Sequence, residues 1–152
     1  MTMSMAALTA LLMMMSQAPG PKGPAGSAAP SGSLRSIDKG LDSQIDDARQ
    51  VTIRSAADWE KLWRQHAGER ARPPVDFGRE MVIAVFLGSR PTAGFSIEIV
   101  ATRESGPDLI VQYRETRPPA GGIVAQVLTS PYHIVAMSRS DAVKTAKFEK
   151  IT

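Results

Sequence analysis

The 152-residue chain contains no cysteine. That excludes disulfides, thiolate metal ligands and a cysteine nucleophile, and it leaves the compartment open. Histidine is almost as scarce, with His66 and His133 alone. Neither has a second ligating side chain at the spacing a metal site uses, so no metal and no cofactor are expected. Two Trp, two Tyr and four Phe accompany a formal charge of +3. The basic residues are dispersed, whereas a nucleic-acid surface needs a cationic stripe interleaved with aromatics, so no nucleic-acid partner is expected. There is no nucleophile elbow, no phosphate-binding loop and no dinucleotide fingerprint, and no enzymatic activity is expected.

Long apolar runs are missing too. The run at the N-terminus, Ala6 to Met15, is too short to cross a bilayer, so no transmembrane segment is expected. It is followed by Ser16-Gln17-Ala18, which has the small-x-small form of a signal-peptidase site, although no Lys or Arg precedes the run. Residues 1–18 thus read as a signal-like segment, and the expected location is periplasmic or secreted. Residues 19–33 are almost entirely Pro, Gly, Ala and Ser, a composition that buries no apolar surface and reads as a linker. Residues 34–152 form the single expected domain.

What is present is strand after strand, with one helix. Leu34 to Leu41 and Arg49 to Arg54 read as strands, and Val51 and Ile53 share one face. Ser55 followed by Asp58 resembles a helix start, and Gly68 a stop. Between them Trp59, Leu62, Trp63 and His66 fall at i, i+3, i+4 and i+7, one apolar stripe that pins the helix to a sheet. Glu60 and Arg64 make an i,i+4 pair on the other side. Further strands are expected at 81–88, 94–103, 108–116, 123–129, 132–138 and 145–151. With no helix between them, short hairpin connections and antiparallel pairing are favoured. The acidic run Asp38, Asp42, Asp46 and Asp47 lacks calcium-loop spacing and reads as a solvated loop.

Three stiff turns interrupt these strands. Arg90-Pro91-Thr92-Ala93-Gly94-Phe95 is the first, Arg117-Pro118-Pro119-Ala120-Gly121-Gly122 the second and Thr129-Ser130-Pro131-Tyr132-His133 the third. Proline fixes φ and glycine opens φ > 0, so each turn is a shaped loop at a strand end, where binding residues gather. The candidate binding residues are Arg90, Pro91, Thr92, Gly94, Phe95, Pro119, Gly121, Pro131 and Tyr132, with Phe95 and Tyr132 as aromatic contacts on a shared rim.

Several of these features together resemble the protease complex subunit PrcB family. The carrying residues are Trp59-x3-Trp63, the apolar strand from Met81, Gly88-x2-Pro91-Thr92-x-Gly94-Phe95-Ser96-Ile97, Pro119-x-Gly121 and Pro131-Tyr132-x-Ile134-Val135. The family pattern carries P-T-G-G-Y where this chain has Pro91-Thr92-Ala93-Gly94-Phe95, and the resemblance spans roughly residues 50–151. It implies an exported, non-catalytic domain, since the family is named for a lipid-anchored subunit that supports a surface protease complex. This chain has no cysteine to carry a lipid. The ordered loops are also similar to those of chagasin-type cysteine-protease inhibitors, without their asparagine, second threonine or strict G-x-G.

The expected fold is α+β, a mostly antiparallel β sheet or sandwich with one amphipathic helix packed on it. The expected function is an exported protein-binding domain that assembles with, or stabilises, a protease or other envelope complex. The alternative is a chagasin-like cysteine-protease inhibitor acting through the same loops. The sequence leaves the oligomeric state open.

Overall fold

The computed structural model describes residues 33–152; the signal-like run and nearly all of the linker lie outside the described residues. Eight elements follow in order: β1 (Arg35–Gly40), β2 (Arg49–Ile53), α1 (Ala56–Ala67), β3 (Glu80–Phe86), β4 (Ser96–Ser105), β5 (Asp108–Thr116), β6 (Tyr132–Ser138) and β7 (Thr145–Ile151). They form a four-stranded sheet, β1-β6-β3-β2, and a three-stranded sheet, β4-β5-β7. All pairings are antiparallel except β5 with β7. This is the α+β architecture, with α1 on one face of the four-stranded sheet and the three-stranded sheet on the other.

The layering follows from β3 and β6, whose side chains are buried on both faces over Met81–Phe86 and Tyr132–Met137. Such strands read as unbroken apolar runs because neither face meets water. Met81, Ile83, Val85, Val135 and Met137 point toward Ile97, Ile99, Leu109 and Val111 of the second sheet. Val82, Ala84, Phe86, Tyr132 and Ile134 point the other way, onto Trp59, Leu62 and Trp63 of α1.

The helix starts where Ser55, in an extended conformation, accepts the Asp58 amide at 3.2 Å. It stops where Gly68, at φ 59°, donates to the Arg64 carbonyl. Trp59 Nε1 donates to Pro73 O at 3.1 Å and Trp63 Nε1 to Arg70 O at 2.7 Å. The stripe therefore holds the segment after the helix as well as the helix. Glu60 and Arg64 pair at 2.9 Å on the exposed side.

Two expectations fail. No strand forms over 123–129; Thr129 alone makes a bridge, to Arg90. The segment has strand-forming residues, but it must carry the chain from the second sheet back to the first, and a crossing segment lies in neither ladder. Hairpins are also fewer than the short spacings suggest. Only β4 and β5 pair through a tight turn, at Gly106 with φ 59°. The connections β3–β4, β5–β6 and β6–β7 all change sheets.

Candidate functional site

The strand register dictates where the loops go. Phe86, near the end of β3, pairs with Tyr132 at the start of β6. Ser96, opening β4, pairs with Thr116 closing β5. The β3–β4 and β5–β6 connections therefore cross between the sheets at the same end of the molecule. Gly40 pairs with Tyr132 and Arg49 with Phe86, so the β1–β2 connection lies there too.

The loops touch one another in detail. Arg90 and Thr129 exchange backbone hydrogen bonds of 2.7 and 2.9 Å. Thr129 Oγ1 donates to the Thr92 carbonyl at 3.0 Å, and the Ala93 amide to the Ala125 carbonyl at 3.0 Å. Gly94 takes φ 94°, and a Cβ there would stand 2.7 Å from Pro118 Cβ. Any other residue would push the first loop off the second. The Ser89 amide reaches the Asp46 carbonyl at 2.8 Å and the Ser130 amide the Leu41 carbonyl at 2.7 Å, which brings in the β1–β2 loop.

Among the candidate residues, Pro91, Gly94, Pro119 and Gly121 are exposed on this end, and Arg90, Thr92 and Phe95 are half-buried. The Arg90 guanidinium lies 5.7 Å from the centre of the Phe95 ring. Beneath them a cleft of about 250 Å³ is lined by Arg49, Phe86, Arg90, Ile97, Tyr113 and Glu115, among others. Pro131 and Tyr132 are placed elsewhere. Pro131 is buried with its carbonyl on the Leu87 amide at 2.9 Å. Tyr132, 1 % exposed, is a core residue whose ring meets His66 edge-on at 4.2 Å. Its position in the last turn suggested a rim contact, but its place opposite Phe86 in the ladder turns it onto the helix.

The apolar residues that do reach solvent at this end were read as strand. Ile123, Val127 and Leu128 are exposed, as is Leu41 on the neighbouring loop. Of the exposed large hydrophobics among the described residues, only Val100 lies away from the loop end. A useful sequence signal was the lack of alternation in Ile123-Val124-Ala125-Gln126-Val127-Leu128: no single face of it can be polar.

Sequence reasoning also missed a polar cluster at the margin of the helix-facing core. Ser43 Oγ is 2.8 Å from His66 Nδ1, and His66 Nε2 is 3.1 Å from Asp38 Oδ2, which also pairs with Arg70. Ser43 Oγ also accepts the Ile45 amide at 3.1 Å, and the Arg70 guanidinium lies 3.2 Å from His66 Nε2. The order serine, histidine, carboxylate is that of a nucleophile relay. Here Ser43 is buried, and its amide is spent on the Ser130 carbonyl at 3.2 Å, so the cluster ties the β1–β2 loop to α1. Burial pushes the Tyr132 phenol up to about 12, with Arg70 opposing the rise and Asp38 adding to it. Asp38, read from sequence as part of a solvated loop, is a β1 residue inside this cluster. Among the described residues no group of three or more His, Asp or Glu stands close enough to hold a metal ion, and no helix is long and apolar enough to cross a membrane.

Comparison with known families agrees with this geometry. Residues 81–138 match the family described as PrcB C-terminal. The matched stretch runs from β3 through β6, so it holds two of the three sheet crossings, β3–β4 and β5–β6, and every candidate binding residue. The resemblance is thereby shown over that stretch; α1 and β7 lie outside the match. No curated protein and no solved structure matches the chain significantly.

Proposed function

We propose that this protein is an exported, non-catalytic binding domain that joins a protease or other envelope protein complex through its loop end. The protease association is what the PrcB C-terminal match suggests. The observation that carries the binding reading is that Leu41, Ile123, Val127 and Leu128 are each exposed, on loops that backbone hydrogen bonds tie to one another. Apolar surface held on a rigid support and rimmed by charge is how protein interfaces are built. The rim here comprises Asp42, Asp46 and Asp47 on one loop and Arg90 and Arg117 on the others. Export rests on the signal-like residues 1–18 and would be tested by N-terminal sequencing of the protein from its producing cell.

Ile123→Asp and Leu128→Asp provide the test of binding. Both side chains are exposed, so the melt should stay within about 0.5 kcal/mol of the parent. Capture of a protease-containing complex from envelope extract should fall at least tenfold, as expected when a central contact worth about 2 kcal/mol is lost. Unchanged capture by both variants would remove the loop end from the reading. The alternative, inhibition of a papain-like protease, is favoured only by the side-by-side packing of Gly94 and Pro118. It has lost its third element, because Tyr132 is buried.

A further inference from the structure

Strand β2 ends the four-stranded sheet, and its free edge differs from the other edges of the molecule. β1 is interrupted by a register shift between Ser36 and Asp38 and carries Lys39. β4 is bulged between Ile99 and Ala101. β7 carries Lys147, Glu149 and Lys150. Bulges and charges of this kind keep sheet edges from pairing with other chains. β2, Arg-Gln-Val-Thr-Ile, has no bulge and no proline, and its one charge stands at its first position.

The direction of its backbone groups can be worked out. The Leu87 amide bonds to Pro131 on the β6 side. Backbone direction alternates along a strand, so Met81, Ile83 and Val85 also face β6, while Val82, Ala84 and Phe86 face β2. Their partners are Ile53, Val51 and Arg49. Gln50 and Thr52 therefore turn their N–H and C=O groups outward, and neither has a backbone partner among the described residues. Beside this edge runs a groove of about 290 Å³ between β2 and α1. Val51, Ile53 and Leu62 make its floor, and Asp58, Lys61 and Gln65 line its helix side. Lys61 has no carboxylate partner among the described residues.

We propose that the β2 edge and this groove bind an extended peptide segment of a partner protein as an added strand, with an aliphatic side chain over Val51, Ile53 and Leu62 and a carboxylate facing Lys61. The main chain of the segment satisfies Gln50 and Thr52, and the alternate side chains supply selectivity, as in strand addition generally. The volume is just under the roughly 300–1,000 Å³ of small-molecule sites, and the open backbone groups are what a strand uses and a small molecule does not. The groove shares Arg49 with the cleft beneath the loop end, and Gln50 borders that cleft, but none of Leu41, Ile123, Val127 and Leu128 lines the groove, so the proposal does not rest on the loop-end reading.

The test uses the full-length protein, amide NMR, and an acetylated, amidated peptide of alternating glutamate and valine. Saturable shifts at Gln50, Thr52 and Lys61 are expected, with slowed exchange of the Gln50 and Thr52 amides. Thr52→Pro removes an outward donor and no β2–β3 bond; binding should fall at least tenfold while the melt is retained. Should that variant unfold, Lys61→Glu serves alone: it is exposed, and it should weaken the glutamate peptide by up to about fivefold and favour the lysine analogue. Leu128→Asp should bind the peptide as the parent does, which separates this site from the loop end. Absence of shifts at millimolar peptide, or shifts confined to other surfaces, would overturn the proposal. So would protection of the Gln50 and Thr52 amides that rises with protein concentration alone, which would assign the edge to a second copy of the chain.

Discussion

The two faces of the four-stranded sheet are built by opposite means. The face under α1 is aromatic: Trp59, Trp63, Phe86, Tyr132 and His66 stand ring against ring, with centroids 4.2 to 6.4 Å apart. The face against the second sheet is aliphatic, made of Met, Ile, Val and Leu with Phe95, Tyr113 and Phe148 packed at its margin. Aromatic side chains carry polar handles, and on the helix side those handles reach the backbone beyond the helix. Aliphatic side chains carry none, so the two sheets are joined by packing, by the His133 contact to the Ile99 amide and by the exposed Lys39–Glu98 pair at 3.1 Å. Damage to the helix face should therefore spread along the chain, and damage to the sheet face should stay local.

Trp59→Ala is the largest way to break that comparison. Removing a large buried aromatic costs about 3–5 kcal/mol. It also frees the Pro73 carbonyl, so trypsin should cut after Arg70 faster than in the parent. Met137→Ala on the other face should cost about 2–5 kcal/mol and leave that cleavage unchanged. Equal cleavage in both variants would show that the tryptophans do not hold the segment.

How much of this could be read in the sequence divides along the same line. α1 was legible to its caps, because a 3.6-residue stripe between Ser55 and Gly68 admits one reading. β3 and β6 were legible as apolar runs. The distribution of strands over two sheets was not, because period-2 alternation gives a strand's faces and says nothing of its neighbours. Hence Ile123–Leu128 was read as strand, and Tyr132 was placed on a rim from which the Phe86 register removes it. The Asp38–His66–Ser43 cluster joins residues 23 and 28 positions apart, which only the β1–β6 pairing brings together. A histidine on an apolar stripe was the available signal, since a buried imidazole needs partners.

Each face buries one histidine, and the two should respond differently to acid. His133 Nδ1 accepts the Ile99 amide at 2.9 Å, so Nε2 carries the proton and donates to Ser36 Oγ at 2.9 Å. Burial, with Lys39 nearby, pushes its pKa down to about 4. His66 is also pushed down by burial, but there the Asp38 carboxylate opposes the shift. A folded pKa below the unfolded value means that the unfolded chain takes up the proton first. Stability from His133 is thus complete above about pH 6.5 and is lost as pH falls toward about 4. The full loss is about 3 kcal/mol, from 1.36 kcal/mol per pH unit. Thermal melts between pH 7.5 and 5 should fall steadily, and less steeply in His133→Gln. NMR of the His133 ring should show no titration above about pH 5; a midpoint near 6.5 would mean that the Ile99 contact is not made.

The smallest expected effect lies within the second sheet. Thr102 Oγ1 is the one buried side-chain nitrogen or oxygen among the described residues without a hydrogen-bond partner. The residue is 2 % exposed on β4, and it sits just past the bulge that turns Val100 outward. The helix-facing core, by contrast, gives its indole and imidazole nitrogens partners. Thr102→Val keeps the branched shape that suits a strand and removes the stranded hydroxyl. Burying such a group unpaired costs about 1–3 kcal/mol, so the variant should gain about 1 kcal/mol in chemical denaturation with an unchanged m-value. A loss of similar size would mean that the hydroxyl is satisfied in solution, and the two faces would then be equally complete in their hydrogen bonding while still differing in what holds them.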